Sequence, residues 1–190
     1  MSAGVLGWLA ALPLLILGMI AASVITKATG VPPSHPIMDV FAGDGWARLG
    51  AVILAAVWAP VSEELMFRGL LFPGLSSRLR WVVGTLLGAF IFAVIHPQGW
   101  AGVPAIMTLA IAFSTLRLWR RSLIAPMTAH ALNNGSISLL MLLVCPQRTG
   151  SESRKNFATV AYTGCGVIST VWCPAPVMVR NCFLGDGTAS

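Results

Sequence analysis

Ala59-Pro-Val-Ser-Glu63-Glu64-Leu-Met-Phe-Arg68-Gly69 sets two adjacent carboxylates and an arginine inside a long apolar run. An ionised side chain at bilayer depth costs at least ~2.5 kcal/mol even on permissive insertion scales, so three within six positions need partners or a task. The flanks are apolar on both sides, Ala51-Val-Ile-Leu-Ala-Ala-Val-Trp58 before and Leu70-Leu-Phe72 after. Reading the stretch as part of a membrane helix therefore decides the fold class.

The whole chain supports that reading. Of its 190 residues 56% are hydrophobic and 9% charged, with a mean hydropathy of +0.82. Soluble domains are nearer 45 to 50% apolar. The expected fold is all-α, a polytopic transmembrane bundle of about five spans with a poorly structured C-terminal tail. The net charge of +6 does not point to nucleic acid, because the basic residues lie between apolar runs rather than along one polar face.

The first run, Val5 to Ile25, lacks the basic leader of a signal peptide and is long enough to cross, which takes ~20 residues. Lys27 to Ala47 is a Pro- and Gly-rich polar connection with a short interfacial helix expected over Ile37 to Ala42. The second span begins near Leu49, and Pro60 and Pro73-Gly74 are each expected to kink or interrupt it. The third covers Trp81 to Ile95 and ends at His96-Pro97. A loop from Gln98 to Pro104 leads to the fourth, Ala105 to Leu116, and the fifth covers Leu123 to Val144. This divides the chain into an N-terminal helix and connection (1–48), a polar-cored unit (49–144) and a tail (145–190) that holds all four cysteines, without CxxC spacing.

Arg78 and Arg80 precede the third span and Arg117, Arg120 and Arg121 follow the fourth, which makes that end cytoplasmic by the positive-inside rule. Lys27, Arg148, Arg154 and Lys155 then fall on the other side, against the rule. At ~1.5 Å per residue, His96 lies ~22 Å from the basic end, Glu63 ~20 to 25 Å, His130 ~12 Å and Asn134 ~18 Å. These four residues can share one layer. Glu64 and Arg68 are spaced to pair along one helix face, which leaves Glu63 turned about 100° away toward a cavity, and His130 and Asn134 share a face of the last helix.

Plainer readings exist for each residue. The two glutamates suit a helix N-terminus in the interface, Arg68 suits snorkelling or a structural ion pair, and His130 with Asn134 suits interhelical hydrogen bonding. Trp8, Trp46, Trp58, Trp81, Trp100 and Trp119 read as interface anchors. The convergence of catalytic residue types at one depth favours chemistry.

Glu63-Glu64-Leu-Met-Phe-Arg68, Phe92-Ala-Val-Ile-His96 and His130-Ala-Leu-Asn133-Asn134 together resemble the ordered motifs EExxxR, FxxxH and HxxxN of the CPBP intramembrane proteases. That family joins type II CAAX prenyl endopeptidases with bacteriocin-processing and abortive-infection proteins. The resemblance covers roughly Leu49 to Val144 and implies an intramembrane endopeptidase of a prokaryotic inner membrane. Its substrate would be a membrane-embedded or prenylated protein or peptide. By that analogy Glu63 activates water with help from His96, His130 and Asn134 stabilise the oxyanion, and Glu64 with Arg68 support the site. The expected mechanism uses no metal; a zinc version, less favoured, would use Glu63, His96 and His130 as ligands. One span precedes the first motif where relatives have more, so the cavity wall is either incomplete or completed by another copy in a homo-oligomer. The rivals are a non-catalytic immunity or scaffold protein and a small proton-coupled transporter that uses Glu63 and the histidines as a relay.

Overall fold

The computed structural model describes residues 1–31, 37–41 and 45–144. The expected tail, with its cysteines, lies outside them. The described residues form six helices and no strand: α1 (Ser2–Thr29), α2 (Ile37–Phe41), α3 (Gly45–Arg78), α4 (Trp81–Val94), α5 (Gly99–Arg120) and α6 (Ile124–Val144). Five of these are the expected rods and α2 is the short interfacial piece. Among them α1, α3 and α5 are long and apolar enough to cross a membrane. That is fewer than the five expected spans. Helix α4 has 14 residues, ~21 Å against a hydrocarbon core of ~30 Å, and α6 is diluted by Pro126, His130, Asn133 and Asn134.

Helix α3 is continuous through both prolines, so of the expected kink or interruption the interruption does not occur. Each proline is preceded by a π-helical turn, Leu54–Trp58 before Pro60 and Leu65–Leu71 before Pro73. A proline ring in a regular helix collides with the carbonyl four residues back and brings no N–H. Widening the turn before it relieves the collision without ending the helix. The ladder shifts by one residue: Ala59 N–H donates to the Leu54 carbonyl and Phe72 N–H to that of Phe67. The 34 residues of α3 span ~50 Å, and Glu63 and Glu64 sit near its middle.

Helix α5 also differs from expectation. It starts at Gly99, six residues early, because Pro104 falls in its second turn, where a missing N–H frees the carbonyl of solvent- or lipid-exposed Trp100. The core is built from small residues and phenylalanines. Ala89, Phe92 and Ala93 of α4 meet Ile106 and Ala110 of α5, and Phe113 and Leu116 of α5 meet Ala125 and Ala129 of α6. Trp8 packs half-buried against that second cluster, whereas the other five named tryptophans are exposed. Helix α1 lies against α5 and α6 through Gly4, Ala11, Gly18 and Ala22, which are all buried. Small side chains of this kind let helix backbones approach closely inside a bilayer.

Candidate active site

Helices α3, α4, α5 and α6 all bring polar or aromatic groups to the middle of the bundle. Glu64, fully buried, accepts a hydrogen bond at Oε1 from Arg68 Nη1 at 3.0 Å. The i,i+4 spacing on one helix produces this pair, as the sequence suggested. Arg68 donates its second terminal nitrogen, Nη2, to the Ala110 carbonyl of α5 at 3.0 Å, and its guanidinium lies 4.7 Å from the Phe92 ring centroid and 5.6 Å from that of Phe113. The arginine is thus paired, hydrogen-bonded and flanked by ring faces that attract a cation. Snorkelling to the interface is not what it does.

His130 of α6 donates from Nδ1 to the same Glu64 Oε1 at 2.9 Å, an oxygen that already faces the guanidinium and so acts as an acceptor. Its ring stacks on Phe113, with centroids 4.9 Å apart and planes at 29°. His96 lies just past the end of α4. Its Nδ1 donates to the Phe92 carbonyl at 2.7 Å, since a carbonyl can only accept. Its ring packs on Phe92, with centroids 4.3 Å apart. In each neutral histidine the proton is therefore on Nδ1 and the lone pair on Nε2.

Both Nε2 atoms face Glu63. Each lies 3.7 Å from Glu63 Oε2, too long for a direct hydrogen bond. That oxygen is buried and has no hydrogen-bond partner. Three lone-pair acceptors thus converge on one small space, with no donor between them in the structure. Exposure grades outward across the cluster, from 0% for Glu64 and 6% for His130 to 18% for His96 and 28% for Glu63. The outer carboxylate faces an opening and the inner one is sealed. Among the described residues, no group of three or more His, Cys, Asp or Glu is arranged to hold a metal ion.

Asn134, one turn after His130, makes an interhelical hydrogen bond, the plainer of the two readings the sequence offered for it. Its Nδ2 donates to the Ala55 carbonyl at 3.0 Å, inside the first π turn, and its Oδ1 accepts from Asn133 Nδ2 at 3.3 Å. In the shifted ladder the Ala55 carbonyl would be matched with residue 60, which is Pro60 and has no N–H. Asn134 supplies the missing donor. The structure thus brings Glu63, Glu64, Arg68, His96 and His130 into one cluster and places the Asn134 amide against the backbone of α3. Phe113 and the Ala110 carbonyl carried no signal in the sequence, because nothing local marks which face of α5 meets α3.

Taken together, the apolar rods mark a helical integral membrane protein with a carboxylate–imidazole cluster in the middle of its bundle. Residues 45–136 match the family model of Rce1-like type II CAAX prenyl endopeptidases. Over 112 residues, 56% of this chain, the sequence is 24% identical to the membrane-embedded CAAX protease MroQ of Staphylococcus aureus (strain USA300), covering 45% of that protein. No solved structure matches the chain. The three motifs fall within residues 45–136, so the residues that resemble the CPBP membrane proteases are the ones that match this model. It aligns with about half the length of its curated relative.

Proposed function

We propose that the protein is an intramembrane endopeptidase that hydrolyses a peptide bond of a membrane-associated protein or peptide, with a C-terminally prenylated chain as the first substrate class to test. One observation carries this: Glu63 Oε2 and the Nε2 atoms of His96 and His130 converge without a donor among them. A water in that space would donate its protons to these acceptors and keep its oxygen lone pair for attack. Hydrolysis inside a membrane needs such a water, a base and a means of holding the oxyanion.

In the proposed reaction Glu63 takes a proton from the water as its oxygen bonds to the substrate carbonyl carbon, with His96 Nε2 orienting the water. The carbonyl π electrons move onto oxygen to form the tetrahedral oxyanion. That oxyanion is met by the free N–H of the Asn134 amide and by His130, whose Nε2 takes a proton from bulk water once the attacking water has left it for the carbonyl carbon and returns that proton to bulk water when the product leaves. Glu64, held by Arg68, stabilises the imidazolium through Nδ1, as an orienting carboxylate does in hydrolytic triads. Collapse breaks the C–N bond and returns the Glu63 proton to the leaving nitrogen. No step requires a metal.

The test is cleavage of a prenylated peptide in liposomes by wild-type protein and Glu63→Gln. The Gln variant is expected to insert and fold normally and to lose at least ~10²-fold in rate, on the scale seen when one essential group is removed. Chelator is expected to leave wild-type activity unchanged. Full activity in Glu63→Gln would overturn the assignment of the base. Chelator-sensitive loss that zinc restores would overturn the metal-free version alone.

A further inference from the structure

The basic end of the bundle holds a second recess, apart from the carboxylate cluster. The last turns of α3 and α5 border an open recess of about 260 Å³ lined by Phe72, Pro73, Ser76, Arg117, Leu118 and Arg121. Phe72 is eight residues beyond Glu64, ~12 Å along the helix. No acidic side chain is among the lining residues. Helix α3 contributes Phe72, Pro73 and Ser76, and α5 contributes Arg117, Leu118 and Arg121.

Three observations bear on the occupant. Arg117 Nε is buried and has no hydrogen-bond partner among the described residues, and a guanidinium donor shut away from both water and acceptor is costly to leave unmade. Arg121 closes α5 in the left-handed region, at φ 49° and ψ 29°, with its N–H on the Arg117 carbonyl. Glycine usually takes that position, and at the end of α1 Gly30 does so. An arginine held there against its backbone preference brings a second guanidinium to the recess. Arg120, by contrast, lies 5.2 Å over the ring of exposed Trp119, an aromatic–basic pair of the kind found at membrane interfaces. The recess therefore sits at headgroup level.

We propose that this recess binds the phosphodiester headgroup of an anionic phospholipid. Arg117 and Arg121 would hold the phosphate oxygens through charge-assisted, fork-shaped hydrogen bonds, and Phe72, Pro73 and Leu118 would pack against the glycerol and first methylenes. A recess of this size takes a headgroup and leaves the acyl chains outside. Basic pockets between membrane helices are suited to such headgroups. The proposal stands independently of catalysis at Glu63.

The experiment is a binding titration of delipidated protein in neutral detergent with phosphatidylglycerol, phosphatidylcholine or inorganic phosphate, read by native mass spectrometry. One phosphatidylglycerol per chain is expected to stay bound and not to be displaced by phosphatidylcholine. Arg117→Gln and Arg121→Gly should each weaken it about tenfold, the scale of one charged hydrogen bond, while Arg78→Gln and Arg80→Gln leave it unchanged. Arg121→Gly is the decisive variant, because glycine relieves the left-handed strain and so removes the side chain without harming the fold. Wild-type affinity in Arg121→Gly, or equal binding of the two lipids, would overturn the proposal. Equal losses in the Arg78 and Arg80 variants would also overturn it, by showing general charge attraction. Displacement of phosphatidylglycerol by inorganic phosphate at matched concentration would make this a free-anion site and overturn the lipid assignment.

Discussion

Glu64 is the most deeply buried charged residue among those described. Its carboxylate is fully buried, and one oxygen serves both Arg68 and His130 while Oε2 has no partner. Removing one member of a buried ion pair leaves the other charge uncompensated, which typically costs about 3–5 kcal/mol. Glu64→Gln and Arg68→Met are each expected to lose stability on that scale, measured by chemical unfolding in detergent. The double variant should lose clearly less than the sum, since no lone charge remains. Additive losses would mean the two groups are not a pair. The pairing was legible in the sequence because i,i+4 spacing on a helix fixes it locally. The stacking of Phe113 on His130 was not, since it depends on how α5 and α6 are rotated against each other.

At the scale of the element, α3 shows how a proline can be built into a span instead of ending it. The expectation of a kink at Pro60 and Pro73 rested on the missing N–H and the ring collision, both of which are real. A π turn absorbs each, and for the first of them a side chain from α6 completes the ladder. The sequence offered either an oxyanion role or an interhelical hydrogen bond for Asn134, but the carbonyl it would reach is invisible to a local reading. Interhelical hydrogen bonds in membranes are worth about 0.6 kcal/mol on average and up to about 1.7. Asn134→Ala should therefore lose stability in that range as well as activity. In a Pro60→Ala background, residue 60 regains an N–H for the α3 ladder, and the further cost of Asn134→Ala should shrink toward zero. An equal cost in both backgrounds would show that Asn134 is not the substitute donor.

For the whole molecule, the five rods and the depth of the polar layer were legible from hydropathy and from distances to the basic ends, whereas the assembly of the rods was not. Apolar residues on every side of a span do not say which side faces lipid, and α1 is a case in point. Leu6, Ile16, Leu17, Ile20 and Val24 are exposed, while its glycines and alanines meet α5 and α6. At Gly18 the approach is close and mostly to backbone: an added Cβ would lie 2.6 Å from Thr108 Oγ1, 2.8 Å from Ala105 Cα and 2.9 Å from the Pro104 carbonyl oxygen. Two of those are backbone atoms and cannot move aside alone, so Gly18→Val must push α1 away from α5. Overpacking of this kind costs about 1–3 kcal/mol. Gly50→Val, at a position with open space, controls for the loss of glycine itself. Helix α1 contributes no group to the cluster of Glu63, Glu64, Arg68, His96 and His130, and it lies outside the family match at 45–136. Gly18→Val should therefore lower the unfolding midpoint in detergent well below that of Gly50→Val, while the cleavage rate per folded molecule stays within about twofold of wild type. An unchanged midpoint would show that α1 is not docked through Gly18. A normal midpoint shift with a rate loss approaching that of Glu63→Gln would show instead that α1 holds the catalytic helices in register, and that the working unit begins before residue 45.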